Sequence, residues 1–534
     1  MKIKEITMLM DPEVIMKQFG VSELCAKVLA SRCESEDQIR QVLNTDLSLH
    51  VCDSPEMIRI LKRLDTARQR NEKILIAGDY DTDGLCATAI LKEAFDHAGI
   101  LNGFYIPDRL KEGYGLSVNT VARAKEKGYS LIITVDNGVS AHEALQKAAE
   151  CDIEVIVTDH HVIQSEVECS VLLHPDNMGE RWKYCCGAGV ALQISMALSG
   201  PRKRPIMLAA IATIADMMPL WQENRVLVRL GLKYLNERQF MAVESLLDKR
   251  CEKWDEREIA FQIVPKLNAG GRLSEICNVN NLVRYLLETD PVNLQQGARQ
   301  IREVNQKRRQ LSDKITKQAL DQIDPEADFH VVADDSFHEG IVGLAAGRIM
   351  NQTHRPAMVL APCENGYKGS IRSVPGVDLQ EFFADLKSDV SRFGGHGQAA
   401  GIEMTKEQLE PLKKKIAEKM KRYEDRLEEP SMEVLSISGR QITLNALHEL
   451  EMLAPFGQKF DPVLFQVNDC TILNYSRMKE IYPKWQLTNG MDFIDAISFN
   501  KEIDEPHPHS WIGKLQINRF RGNEKCSILV ESVQ

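Results

Sequence analysis

Between residues 73 and 216 the chain repeats one pattern: a short apolar run, a tight polar turn, then an amphipathic stretch with helical spacing. "KILIA" precedes "GDYDTDG" and the helical "LCATAILKEAFDHAG"; "LIITV" precedes "DNG" and "SAHEALQKAAE"; "EVIVT" precedes "DHH". Apolar runs this short and this rich in β-branched residues fit strands buried on both faces. Their alternation with helices predicts an α/β fold built on a parallel sheet with helices on both sides. "IMLAAIATIA" at 206–215 is about half a membrane span and predicts a buried helix.

Further along, residues 283–323 are charged and helix-favouring, and Pro291 marks a break, so a long connecting helix or helix pair is expected there. A second α/β unit follows, with strands at "FHVVAD" and "PAMVLAP" around the glycine-containing "HEGIVGLAAGRIM", then "GYKGSIRSVPG". The charged stretch 406–430 predicts a helix ending at Pro430. Beyond it the alternating "VLFQVNDCTIL", "DAISFN" and "WIGKLQINRF" predict a small β domain.

With 534 residues the chain is too long for one core and predicts about three domains. Hydrophobic residues at 43% and charged residues at 27% describe an ordinary globular chain, and no secretory signal or membrane association is expected. Thirteen cysteines, an odd number without a C-x-x-C pair, predict reduced thiols in a cytoplasm and argue against a zinc knuckle. A net charge of -11 does not exclude a polyanionic partner, because acidic metal ligands concentrate negative charge where a phosphate binds.

The turns after the three strands carry the chemistry. Asp79, Asp81 and Asp83 follow the first, Asp136 the second, and Asp159, His160 and His161 the third. In an open parallel sheet, ligands bind beyond the carboxyl ends of the strands, where these turns converge. So many carboxylates at close range repel unless a cation joins them, and a pair of divalent ions about 4 Å apart removes that cost. Mixed carboxylate and imidazole ligands favour manganese-like ions over calcium. The competing explanation for each turn alone is an ordinary Asp-Gly or Asn-Gly turn, or an aspartate N-cap. Asp216, at the end of the apolar run, reads by itself as a polar helix terminus.

These residues resemble the DHH phosphoesterases and, within them, the RecJ-type single-strand exonucleases. "GDYDTDG", "VDNG", "TDHH" and "IADMMPL" match the family's four metal motifs in order; "NAGGRL" at 268–273 and "FGGHGQAAG" at 393–401 match two more. "YIPDRLKEGYGL" at 105–116 and "GSIRSVPGVDL" at 369–379 are similar to its nucleic-acid-contacting segments. The implied layout is an N-terminal segment with the DHH catalytic domain (1–225), a helical connector (226–325), a DHHA1-type substrate-binding domain (326–427) and an OB-like β barrel (428–534).

The resemblance implies two manganese or magnesium ions. Asp81, Asp83, Asp136, His160 and Asp216 would be ligands, with Asp136 bridging, and Asp79 and His161 would be ligands or residues that orient them. It gives Asp136, His161 and His396 catalytic roles, and assigns substrate contacts to Arg109, Asn268, Arg272, Ser370, Arg372 and His396. Phe499, Trp511 and Phe520 are candidate base-stacking residues of the barrel. Three places depart from the family pattern: "NAGGRL", usually written with a second alanine, Phe337, where tryptophan is usual, and "PFGQKFDPVLF" at 455–465.

The implied activity is metal-dependent removal of nucleotides from the 5′ end of single-stranded DNA in recombination and repair. Single-stranded DNA would be the partner, with single-strand-binding protein and a RecQ-type helicase as associated proteins and a monomeric state. The alternatives are a small-substrate DHH phosphohydrolase, acting on pyrophosphate, oligoribonucleotides or cyclic dinucleotides, and an inactive single-strand-binding scaffold. The extra β domain and the basic helix speak against the first, and the intact acids against the second.

Overall fold

The computed structural model describes residues 2–427 and 431–534. Its first sheet is wholly parallel, in the order Asn102–Tyr105, Ile74–Ala77, Leu131–Val135, Glu154–Thr158, Val171–Leu173. Successive side chains leave opposite faces of a strand, and the three central strands bury both. Ile74, Ile76, Ile133 and Ile156 pack into the core under helices Thr82–His97, Gly187–Ser199 and Lys203–Ala215. Leu75, Ile132, Val155 and Val157 pack under Val118–Glu126 and His142–Glu150. The strand order turns back between Ile74–Ala77 and Leu131–Val135. That reversal opens a crevice at the carboxyl ends, and the turns bearing Asp79 and Asp136 stand on either side of it.

The expected connector divides between two cores. Leu227, Leu235, Val243, Leu267, Leu282 and Leu294 belong to the same core as the first sheet, whereas Ile315 and Ala319 pack on the second domain. The break is at Pro291, between helices Asn280–Leu287 and Pro291–Leu320, and Asp290 caps the amides of Val292 and Asn293. The second sheet runs Arg392–His396, Ala399–Met404, Gly366–Arg372, Ala357–Cys363, His330–Ala333, with only the last pair parallel. Helix Glu339–Thr353 covers one face, where Phe337 is buried. The charged helix spans Lys406–Met420, shorter than expected, and the proposed stop at Pro430 lies outside the described residues.

The third body differs most from expectation. It is an eight-stranded sheet, and its edge strand is the N-terminal Lys2–Glu5, paired in parallel with Ser431–Ser438. Ile15, Leu24, Leu29, Ile39 and Val42 of the N-terminal helices share one core with Leu435, Trp485 and Trp511. The first forty or so residues, grouped above with 1–225, therefore belong with the C-terminal sheet. Nothing local could signal this, because the strand "KIKE" is nearly all exposed and its partner is at the far end of the chain.

Helix Glu223–Asn236 ties this body to the first domain. The buried Arg225 donates to the carbonyls of Leu453 and Pro455, and Arg229 to those of Val42, Asn44, Met452 and Ala454. No helix among the described residues is long and apolar enough to cross a membrane.

Candidate metal centre

The first turn starts helix Thr82–His97, with Asp81 as its N-cap. One Asp81 oxygen accepts from the amides of Asp83 (2.9 Å) and Gly84 (3.1 Å). The capping explanation is thus correct, and the second oxygen is still left for the crevice. Asp83 is held at the start of another helix, where its two oxygens accept from the amides of Gly187 and Ala188, each at 2.7 Å. A helix N-terminus is a natural place to fix a carboxylate. Asp136 lies at the end of its strand with a left-handed backbone, φ 60°, which turns its side chain into the crevice. Gly187 makes room for it: a Cβ there would stand 2.5 Å from the Cβ of Asp136.

His160 closes the cluster from the third strand. Its Nε2 is 3.2 Å from Asp136, 3.6 Å from Asp83 and 3.5 Å from Asp216. Asp79, Asp81 and Asp136 converge in the same way, with one oxygen of each within 4.8 Å of the others. Asp136 therefore belongs to two neighbouring ligand sets. Asp79 Oδ1, Asp136 Oδ1 and His160 Nε2 are all buried without a hydrogen-bond partner, a costly state for polar atoms unless a ligand fills it. Burial, then mutual repulsion, raises the pKa values of Asp79, Asp81 and Asp136, and pushes Asp216 to about 8. At an effective dielectric of about 20, two like charges about 4 Å apart repel by roughly 4 kcal/mol. The residues fit a pair of divalent cations, which would reverse that repulsion.

The two adjacent histidines have opposite environments. Burial lowers the pKa of His160, keeping its ring neutral with a lone pair on the crevice. Burial also opposes the charge on His161, but the hydrogen bond from its Nδ1 to Asp159 (2.8 Å) and the Asp159 charge outweigh it and raise the pKa to about 9. Asp159 turns away from the ligand set and also accepts from the amides of Val139, His160 and His161. Tyr114 donates its phenol hydrogen to the Asp136 carbonyl (2.9 Å) and lies within 3.4 Å of the His161 ring. The sequence places Asp159 at the third strand end without a role of its own, and Tyr114 only within the segment 105–116. The position of Asp159, directly before the histidine pair, was the available signal.

Beside the acids lies a cluster of opposite sign. The Arg109 guanidinium covers the Tyr80 ring at 4.9 Å, next to Asp79. Burial, and then the charges of Arg109, Arg308 and Arg372, lower the pKa of Arg272 to about 10. None of these four arginines has a carboxylate within ion-pair distance among the described residues, so the cluster calls for an anion. Arg372 instead donates to the Ser370 hydroxyl at 2.6 Å. Arg308, on the connecting helix, was not singled out in the sequence.

Asn268 is turned toward Thr82, and His396 is exposed on a hairpin. The cross-strand register Arg372, Ala399, His396 puts His396 on the same sheet face as Arg372. Of the stacking candidates, Trp511 is excluded because it is wholly buried in the third core, while Phe499 and Phe520 are 59% and 67% exposed. The departing segment 455–465 borders the turn after Asp216: the Leu220 amide donates to the Gln458 carbonyl, and Trp221 packs edge-on against Phe460.

Comparison with known proteins agrees along the whole chain. The profile of the DHH family, N-terminal domain, matches residues 73–218, that of the DHHA1 domain residues 326–422 and that of the RecJ OB domain residues 435–532. The single-stranded-DNA-specific exonuclease RecJ of Bacillus subtilis is 30% identical over 97% of this chain and 68% of its own length. Its Escherichia coli namesake is 28% identical over 88% of this chain and 89% of its length. The crystal structure of Thermus thermophilus RecJ in complex with Mn2+ superposes with a TM-score of 0.83 at 25% identity, covering 100% of this chain and 79% of that one. Three domain profiles in one order and identity sustained from end to end place the chain in the RecJ family of DHH proteins.

Proposed function

We propose that the chain is a metal-dependent exonuclease that removes nucleotides from the 5′ end of single-stranded DNA, in recombination and repair. One observation carries this reading: buried acids with orphaned oxygens stand directly beside guanidiniums that lack carboxylate partners. A metal-bound scissile phosphate and a second phosphate in the arginines would satisfy both clusters at once. Similar proteins named single-stranded-DNA-specific exonucleases support the choice of substrate.

Asp79, Asp81 and Asp136 would hold one ion, and Asp83, Asp136, His160 and Asp216 the other. Manganese or magnesium at these positions supplies Lewis acidity and neutralises charge at the scissile phosphate. Asp159 fixes the His161 ring, and Tyr114 fixes the backbone of Asp136. Arg109, Arg272 and Arg372, with Ser370, would grip the terminal 5′ phosphate through planar donor pairs. That grip sets cleavage one nucleotide from the end. Phe499 and Phe520 would offer stacking surfaces for the rest of the strand. The proposed setting is the cytoplasm, as a monomer that works with single-strand-binding protein and a RecQ-type helicase.

The test is digestion of 5′-labelled single-stranded DNA, RNA and duplex with manganese or magnesium. The expected result is label released as mononucleotide from single-stranded DNA. Turnover confined to pyrophosphate, short oligoribonucleotides or cyclic dinucleotides would make the chain a small-substrate phosphohydrolase. Binding without hydrolysis would make it a scaffold.

A further inference from the structure

Helix Lys203–Ala215 ends with Asp216 at its C-cap and Met217 in the left-handed region, φ 52°. The Met217 amide returns to the Ile214 carbonyl (3.2 Å) and the Met218 amide to Thr213 (3.1 Å). These are the two bonds of a Schellman turn, whose left-handed position usually belongs to glycine. A methionine there sets its Cβ against its own backbone, and its side chain gains no burial, being 70% exposed. Eleven other non-glycine residues among those described share a positive φ, so the strain singles out Met217 only together with its place beside Asp216.

A second exposed apolar side chain stands at the same place. Val162 follows His161 directly and is 69% exposed. Asp216 and His160 are 3.5 Å apart, so Met217, next to Asp216, stands at that end of the ligand cluster, and Val162 follows two residues after His160. Asp79, beside Arg109 and Tyr80, marks the other end, with Asp136 between them.

We propose that Met217 and Val162 form an apolar seat for the nucleobase on the 3′ side of the scissile phosphate. The inference rests on the reading of the chain as a 5′-end nuclease and deepens it. A terminal phosphate in the arginines and a scissile phosphate at the acids fix the direction of the strand. The first nucleotide spans the two clusters, and the second continues past Asp216 to the side where Met217 and Val162 stand. An unbranched, polarizable methionine suits a contact that must accept every base. It also explains a large apolar side chain at a position where glycine would relax the backbone.

The experiment measures release of the first nucleotide from three strands: intact, abasic at the second residue, and abasic at the first. Wild type, Met217→Gly and Met217→Leu are compared as full-length protein with manganese. Wild type should release the terminal nucleotide about tenfold more slowly when the second base is missing, the size of a typical base contact. Met217→Gly should be about tenfold slower on the intact strand and lose nothing further on that abasic strand, while Met217→Leu keeps the discrimination. Glycine is unstrained at this φ, so the melting temperature and manganese binding of Met217→Gly should not fall. Equal slowing of Met217→Gly on all three strands, or no slowing on any, overturns the seat. Failure of wild type to release a nucleotide from any single strand overturns the nuclease reading itself, and the seat with it.

Discussion

Asn268 holds Thr82 by two hydrogen bonds: its side-chain oxygen accepts from the Thr82 amide and from the Thr82 hydroxyl, each at 2.8 Å. Thr82 is buried between Asp81 and Asp83, so the helix carrying "NAGGRL" braces the turn that bears these acids from behind. The fit is close, since a Cβ on Gly271 would stand 2.9 Å from the Tyr80 carbonyl. Asn268→Ala should leave both donors unpaired, at about 1–3 kcal/mol per buried group. The expected outcome is a lower melting temperature and weaker manganese binding, with affinity for oligonucleotides nearly unchanged at saturating metal. Lost oligonucleotide affinity with intact manganese binding would restore Asn268 as a substrate contact.

Burial and mutual repulsion raise the pKa values of Asp79, Asp81, Asp136 and Asp216 above those of an unfolded chain, which lie near 4. Their protonated forms therefore stabilise the metal-free protein fully below about pH 4. That contribution is lost as pH rises through about 8, the value for Asp216. Manganese removes the repulsion, so the gain in melting temperature on adding it to chelator-treated protein should be larger at pH 8 than at pH 6. Asp136→Asn should raise the melting temperature of the metal-free protein at pH 8, abolish the manganese gain and lower hydrolysis by at least about a thousandfold. A manganese gain that shrinks with pH would contradict the ligand assignment.

The acids after the first two strands and the histidine pair after the third were legible because apolar runs too short for helices ended in them. Asp216 was not legible from its own surroundings, since an aspartate closing a helix is common. What marks it as a candidate ligand is His160, which approaches it only through the fold. The same holds for the arginines: Arg109, Arg272 and Arg372 come from a loop, a helix end and a strand, and become a cluster only when two domains meet. Asn268 shows the opposite case, in which the motif singled out a residue but not whether it faces a phosphate or a neighbouring turn.

Co-folding of the two chain ends predicts how the protein can be divided. Ending it at 427 would expose Ile15, Leu24, Leu29, Ile39 and Val42, apolar surface that a fragment starting at 45 does not carry. Such a fragment should aggregate or melt well below the full chain. Residues 45–427, which lack both halves of the third core, should melt cooperatively and still hydrolyse short oligonucleotides. Affinity for long strands should fall, and its salt dependence flatten, because fewer phosphates are neutralised. Light scattering and thermal melting of the two fragments decide this, and equal stability of both would contradict the shared core.

His396 stands on the same sheet face as Arg372, two strands away and exposed. Its hairpin is firmly held: the Gln380 side chain donates to the Gly395 carbonyl and the Leu379 amide to that of Gly397, both at 2.7 Å. Gly395 has φ 150°, and a Cβ there would stand 2.3 Å from the Ala399 carbonyl, so the backbone is pinned and the imidazole carried outward. A ring so placed makes no contribution to packing, and it comes from a different domain than every ligand. Donation from it to a phosphate oxygen would strengthen as charge develops in the transition state, so His396→Ala should lower kcat by roughly a hundredfold. KM, manganese binding and melting temperature should stay close to wild type. Arg372→Gln, which weakens the grip on a phosphate bound in the ground state, should act mainly on KM. If His396→Ala loses manganese or lowers only stability, the ring is a ligand or a structural residue and the second domain contributes no donor at that oxygen.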